Sequence, residues 1–132
     1  MPKRKWYLQP GIFWPAVVVW AALLWWLSSQ PGSGNMPRIP HFDKVMHLTY
    51  FFCGGIVFHL AMRTTWPPLG ARHLIIAGLA FAALIGALDE HHQTYTPGRS
   101  GHDVFDWLAD CLGGLLAALA VNRLWPSNRS SS

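Results

Sequence analysis

The chain has 132 residues, of which 52% are hydrophobic and 12% charged, and a formal net charge of +4. That length allows one domain, and that balance excludes an ordinary water-facing surface. The positive excess is what the inner rim of a small membrane protein needs, and it gives no sign of a nucleic-acid partner.

The first apolar run, Ile12 to Leu27, follows Lys3, Arg4 and Lys5 and could pass for a signal peptide. It carries Trp14, Trp20, Trp25 and Trp26, and no small-x-small cleavage pattern precedes Ser28, so it reads as a retained first helix. Three more runs follow, Val45 to Met62, Leu74 to Leu88 and Val104 to Leu124. A helix needs roughly 20 residues at 1.5 Å each to cross about 30 Å of hydrocarbon, and each run reaches that length only with its polar flanks. Breaker-rich stretches separate them: "SSQPGSGNMPRIP", "TTWPPLGA" and "TYTPGRSG". Connections this short make neighbouring helices antiparallel. The expected fold is therefore all-α, a polytopic membrane protein with four transmembrane helices in an antiparallel bundle over residues 1–126. The polar tail Ser127 to Ser132 is expected to be disordered. Trp6, Tyr7, Trp25, Trp26, Trp66, Tyr95 and Trp125 fall near helix ends, where amphipathic rings favour the interface.

Basic residues near helix ends stay on the cytoplasmic side. With the N-terminus inside, that side holds Lys3, Arg4, Lys5, Arg63, Arg72, Arg123 and Arg129, against Arg38, Lys44 and Arg99 outside. Seven against three places both termini in the cytoplasm. All six acids, Asp43, Asp89, Glu90, Asp103, Asp106 and Asp110, then lie toward the outer side, contributed by three different helices.

Residues three, four and seven apart share a helix face. Asp43, His47, Tyr50 and Gly54 form one such stripe. Gly78, Ala82, Gly86, Asp89 or Glu90, and Gln93 form another; Asp103, Asp106, Asp110, Gly113 or Gly114, and Ala117 form a third. Each is polar at the outer end and small deeper in, so three helices should approach closely along the stripes and gather their polar ends at one mouth. Asp110 lies about 10 Å along its helix from Asp103 at 1.5 Å per residue. An acid at that depth must be paired, protonated or metal-bound, and is a functional-site candidate; the competing reading is a polar network that only holds the bundle together.

The chemistry on offer is of three kinds. His47, with Asp43 one turn before it, is a general-base or metal-ligand arrangement in which the carboxylate orients the imidazole. Glu90 and Gln93 supply one anionic and one neutral oxygen. Arg99, at a Pro-Gly turn, is a fork-shaped donor suited to phosphate or carboxylate, or else a counter-charge for Asp103 or Glu90. Asp43, His47, Glu90 and Asp106 are the candidate ligands for a divalent cation. Carboxylates suit Mg²⁺ or Ca²⁺, and the imidazole admits Zn²⁺ or Mn²⁺. His41, His91, His92 and His102 read as solvated interfacial side chains, since neighbours in sequence point to different sides of a helix. His59 and His73 lie toward the inner side and join neither stripe. Cys53 and Cys111 lack a CxxC partner and read as small apolar fillers without a disulfide or metal role.

The segments "SSQPG", "DKVMHLTYFFCGG" and "GALDEHHQTYTPGRSGHDVFDWLADCLGGLLA" resemble the VanZ-like family of small membrane proteins, over about Ser28 to Ala118. The family pattern runs Asp-Lys-x-x-His, Asp-Glu-x-x-Gln, Pro-Gly-Arg and then Asp-x-x-x-Asn/Asp-x-x-Gly. Matching positions are Asp43, Lys44, His47, Tyr50, Glu90, Gln93, Pro97, Gly98, Arg99, Asp106 and Gly113. Asp110 stands where many relatives have Asn. The resemblance implies a bacterial cell membrane and a link to low-level resistance to the glycopeptide teicoplanin. It also adds Lys44 and Tyr50 to Gln93, Arg99, Asp106 and Asp110 as ligand-binding candidates. Some relatives are labelled phosphotransbutyrylase, which this chain does not support, since no phosphate-cradling Gly-rich loop opens a helix.

Three function classes remain open. One is a binding or resistance protein whose outer mouth holds a membrane lipid, a lipid-linked envelope precursor or its headgroup, changing how a glycopeptide meets its target. A second is a cation-assisted intramembrane hydrolase or transferase of a lipid phosphate, with His47 as base and Asp43 and Glu90 beside it. A third is a structural membrane partner, which fits the small-residue stripes and leaves the acids unexplained.

The topology is testable. A phosphatase reporter fused after Ser132, active only outside the cytoplasm, should be silent, and one inserted between Ser28 and Phe42 active; the reverse pattern overturns the assignment.

Overall fold

The computed structural model describes residues 9–32 and 39–126. Lys3, Arg4, Lys5, Trp6, Tyr7, Arg38, Arg129 and the tail expected from Ser127 lie outside the described residues. Those described fold into four helices: α1 (Pro10–Ser28), α2 (Phe42–Thr65), α3 (Ala71–Gln93) and α4 (Val104–Leu124). All four are long and apolar enough to cross a membrane, and no strand occurs among the described residues.

Two helices run past their apolar runs. α2 begins at Phe42 and takes in Asp43 and Lys44, and α3 continues through Asp89 to Gln93. Apolarity marks what lies in hydrocarbon, whereas the helical backbone ladder goes on into the interface. α4 starts where its pattern does, because Asp103 caps it: its Oδ1 accepts from the Phe105 N–H at 2.8 Å and the Asp106 N–H at 3.3 Å. In α1, Pro15 sits inside the helix without ending it, as membrane helices tolerate.

α2 is central in the packing, lying chiefly against α4, with α3 also on α4 and α1 on α2. The buried face of α3 is Leu74, Gly78, Ala82, Gly86, Asp89, Glu90 and Gln93; that of α4 includes Asp106, Asp110, Gly113, Gly114 and Ala117. These follow the α3 and α4 stripes read from the sequence, with Leu74 added on α3, Ala118 and Val121 added on α4 and Asp103 only half-buried; of the α2 stripe Gly54 is buried, His47 and Tyr50 are half-buried and Asp43 is exposed. Bare backbones bring the helices together, since a Cβ on Gly113 would run into the Leu48 carbonyl oxygen and lie 2.9 Å from the Phe52 nitrogen. Trp20 fills the space over Gly54, stacked on Tyr50 at 5.3 Å between ring centroids and edge-on to Phe51. Its indole N–H donates to the Tyr50 carbonyl at 3.2 Å, while the Tyr50 hydroxyl donates to the Trp20 carbonyl at 3.0 Å. That reciprocal pair latches α1 to α2.

The antiparallel order puts the C-termini of α1 and α3 and the N-termini of α2 and α4 at one end, with every acidic side chain of the sequence. The opposite end has its own buried polar groups. His59 fits against Gly78, with ring nitrogens 2.6 Å from the Gly55 carbonyl and 3.0 Å from that of Leu74. Arg63 donates to the Leu69 carbonyl and to the Asn122 side chain. Exposed Trp25, Trp26 and Tyr95 stand at the acidic end, and Trp66 and Trp125 at the other, as interfacial belts require. Cys111 is partly buried, but Cys53 is exposed on the outside of α2 rather than filling the core; both thiols are free.

Gly113→Ala should lower the melting temperature in detergent by the equivalent of about 1–3 kcal/mol, the usual cost of overpacking. An unchanged melting curve would mean that α2 and α4 do not make this backbone contact.

Candidate functional site

Two loops meet over the acidic end. The stretch 96–99 lies against the C-terminus of α1, whose last carbonyls have no partner within the helix. The Thr96 hydroxyl donates to the Ser28 carbonyl at 2.9 Å; Arg99 donates through Nη2 to the Leu27 carbonyl at 3.1 Å and through Nε to that of Gln30 at 3.2 Å. The Gly32 N–H donates to the Pro97 carbonyl at 3.1 Å. Gly98, at φ +77°, turns the chain in the left-handed region and crosses Gly32 so closely that a Cβ on Gly32 would strike its carbonyl. "SSQPG" and "TPGR" are thus two halves of one clamp. The Arg99 cation sits at the negative end of the α1 dipole. It forms no ion pair with Asp103 or Glu90 among the described residues.

Beneath the clamp the carboxylates fall into linked groups. Lys44 Nζ lies 2.9 Å from Asp43 Oδ2, 3.3 Å from Asp103 Oδ2 and 2.9 Å from Asp106 Oδ1. Asp106 turns its other oxygen toward His47, with Oδ2 to Nε2 at 3.8 Å. The opposite imidazole nitrogen, Nδ1, lies 2.9 Å from Oδ1 of Asp110, which is fully buried. Glu90 Oε2 accepts the Asp103 N–H at 2.6 Å. Asp89 accepts from the Ser28 hydroxyl and, at 2.8 Å, from the Gln93 amide, joining α1 to α3. At the mouth, burial pushes the Asp103 carboxyl up, but the Phe105 N–H, Lys44 and the Asp106 N–H outweigh it and hold it below the usual carboxylate range.

This geometry corrects one expectation directly. The carboxylate on the His47 imidazole is Asp110 of α4, not Asp43 one turn earlier on α2. Asp43 is more than half exposed and turns to Lys44. Asp110, unlike Asp43, lies at His47's depth and out of water, where an ionic hydrogen bond is worth most.

Two cavities flank the group. The first, about 170 Å³, is lined by Leu24, Leu27, Ser28, Met46, His47, Tyr50, Phe51, Asp89, Gln93 and Arg99. The second, about 230 Å³, is lined by Ala87, Glu90, His102, Asp103, Val104 and Trp107. Of the expected site residues, His47, Tyr50, Gln93 and Arg99 share the first cavity and Glu90 lines the second. Asp106 and Asp110 are buried beside His47, while Lys44 and Asp43 stand at the rim. Tyr50 lines the cavity with its hydroxyl already given to Trp20. The expected single mouth is therefore two chambers, and α1 contributes to the first.

His47, Glu90 and Asp106 each offer one ligand atom, all within 4.8 Å of one another, and so do Asp43, Asp103 and Asp106. In the second set Lys44 already stands among the three carboxylates. His91 and His102 are exposed and stack with ring nitrogens 3.4 Å apart, and His92 lies on Trp25. Ser28, Thr96 and Asp89 join the site beyond the residues that the sequence marks as candidates. Ser28 and Thr96 belong to the "SSQPG" and "TPGR" segments, and the Asp-Glu pair hid the separate partners of Asp89 and Glu90.

The VanZ/LLP1 family model matches residues 12–125. The chain belongs to the VanZ/LLP1 family. No curated protein and no solved structure matches it. The match covers all but the first two residues of α1 and spans the positions of the clamp and of both chambers.

Because Arg99 holds α1 to the 96–99 loop, Arg99→Ala should lower the melting temperature of the detergent-purified protein. Arg99→Lys should recover only part of it, keeping the charge and losing the fork. Equal melting temperatures for all three proteins would remove the clamp role.

Proposed function

We propose that this is a multi-pass protein of the bacterial inner membrane, both termini cytoplasmic, whose outer mouth binds the headgroup of a lipid-linked envelope precursor. Through that binding it alters how a glycopeptide such as teicoplanin meets its target. The observation that carries the reading is the first cavity, where exposed apolar walls from Leu27 and Met46 run into His47, Asp89, Gln93 and Arg99. An amphiphile fits such a cleft, with its chain along the wall and its headgroup at the polar end. At about 170 Å³ the space is smaller than a pocket for a whole drug-sized ligand, so it takes part of a headgroup and leaves the rest in water. Asp89 and the Gln93 amide oxygen suit donors such as sugar hydroxyls or an ammonium, and Arg99 suits the phosphate beside them.

A second reading, a cation-assisted hydrolase or transferase of a lipid phosphate, is favoured by the Asp110–His47 contact, which leaves Nε2 facing Asp106. Both are tested in one experiment: native mass spectrometry of the protein with a polyprenyl-diphosphate-linked amino sugar, polyprenyl phosphate or phosphatidylglycerol. The linked amino sugar should be retained preferentially, and Asp89→Asn should weaken it about tenfold, equivalent to about 1.4 kcal/mol. Equal retention of the three lipids would end the headgroup reading. Loss of mass from the bound precursor, abolished by His47→Ala while the lipid stays bound, would move the function to the enzyme class.

A further inference from the structure

We propose that His47, Glu90 and Asp106 hold one divalent first-row transition-metal ion, Mn²⁺ or Zn²⁺, with Asp110 fixing the imidazole and Asp43 taking no part. This assignment stands apart from the headgroup reading, since it needs no lipid.

Three carboxylates and a histidine close together do not by themselves make a metal site. The deciding atom is Oε1 of Glu90. Glu90 is only 4% exposed; its Oε2 is taken by the Asp103 N–H, and Oε1 is buried with no hydrogen-bond partner. A buried carboxylate oxygen without a partner is costly, and a cation relieves that cost. Glu90 brings an oxygen within 4.8 Å of both a His47 nitrogen and an Asp106 oxygen, so the three ligand atoms need close only slightly to share one cation.

The remaining distances fit. His47 Nε2 and Asp106 Oδ2 are 3.8 Å apart, too far for a hydrogen bond. Two ligand atoms each about 2.1 Å from one ion can lie up to about 4.2 Å apart, so 3.8 Å suits a shared metal. The Nδ1 contact to Asp110 supplies the carboxylate that metal-bound imidazoles use on their far side, and it directs Nε2 toward the ion. Lys44 holds the outer oxygen of Asp106 and so turns Oδ2 inward. The neighbouring set, Asp43, Asp103 and Asp106, is excluded because the Lys44 ammonium occupies it.

One imidazole nitrogen and two carboxylate oxygens favour Mn²⁺ or Zn²⁺ over Ca²⁺, which takes six to eight oxygens. Three protein ligands leave coordination positions open. His47 lines the first cavity and Glu90 the second, so the ion takes one ligand from the wall of each.

The test is titration of the metal-free, detergent-purified full chain with Co²⁺ and with Mn²⁺, without added lipid. One Co²⁺ per chain should bind with visible d–d absorption, and Mn²⁺ should show nitrogen hyperfine coupling from an imidazole in the unaltered protein, so that the result does not depend on any variant folding. Among variants that keep the wild-type melting curve, Glu90→Gln and Asp106→Asn should lose stoichiometric binding. Asp110→Asn, which keeps an acceptor for Nδ1–H, should weaken it roughly 10-fold, as loss of an orienting carboxylate does. Asp43→Asn should leave it unchanged. An imidazolium held between Asp106 and Asp110 satisfies the same contacts without metal. Absence of uptake would establish that alternative; uptake without nitrogen coupling, or an Asp43→Asn loss equal to that of Glu90→Gln, would move the ion to other ligands, and each of these results overturns the site.

Discussion

The acidic end of the bundle depends on Asp106. Its carboxylate is buried, with one oxygen on Lys44 from the second helix and the other facing His47 from the same helix one turn deeper. A charge out of water must be met on every side it presents, and here one side chain spaces the two polar residues of α2 against α4. Lys44 carries the connection outward to Asp43 and Asp103, and His47 carries it inward to Asp110. The Asp103 cap that starts α4 belongs to the same chain of contacts, so the helix begins where the network needs it.

Such a network requires close helices, and the small residues supply them. Gly86 is where α3 makes room for Asp110, since a Cβ there would lie 2.7 Å from its Oδ2. Gly55 and Gly113 do the same at the crossing of α2 and α4, and Gly114 at that of α3 and α4. In hydrocarbon, apolar side chains gain little by leaving lipid for each other, so packing of bare backbone and internal hydrogen bonds must hold the helices. The polar site and the small-residue stripes are two ends of the same faces: one needs proximity, the other provides it.

What the sequence could reveal follows from that division. Helical period survives in any helix, so the faces Gly78–Ala82–Gly86 and Asp106–Asp110–Gly113 were legible before any packing was known. Helix ends were less so, because apolarity reports contact with lipid and α2 and α3 continue into the interface. Partner choice was least legible. Asp43 and His47 are neighbours on one helix face, yet the imidazole belongs to Asp110, 63 residues away, because Asp110 reaches it from α4 while Asp43 turns to Lys44. The charge of Arg99 points to an anion, and nothing in it foretells that the same guanidinium also meets the Leu27 carbonyl across 72 residues of chain. Nothing local in "TPGRSG" says that a helix C-terminus will arrive beside it.

The clamp and the charge network also explain why the mouth has two chambers. Thr96 and Arg99 hold the end of α1 against the end of α3, and Asp89 ties the same two helices through Ser28, so α1 walls off one side of His47. Glu90, the next residue after Asp89, faces the other way and is fixed by the Asp103 N–H at the start of α4. Consecutive residues on a helix point about 100° apart, so an Asp-Glu pair at the end of α3 serves two neighbours without either carboxylate turning. Removing α1 from this arrangement would open the first chamber and leave the second standing. The grouping of His47, Asp106 and Asp110 rests on α2 and α4 alone, whereas access to it from the first side is controlled by α1 and the 96–99 loop.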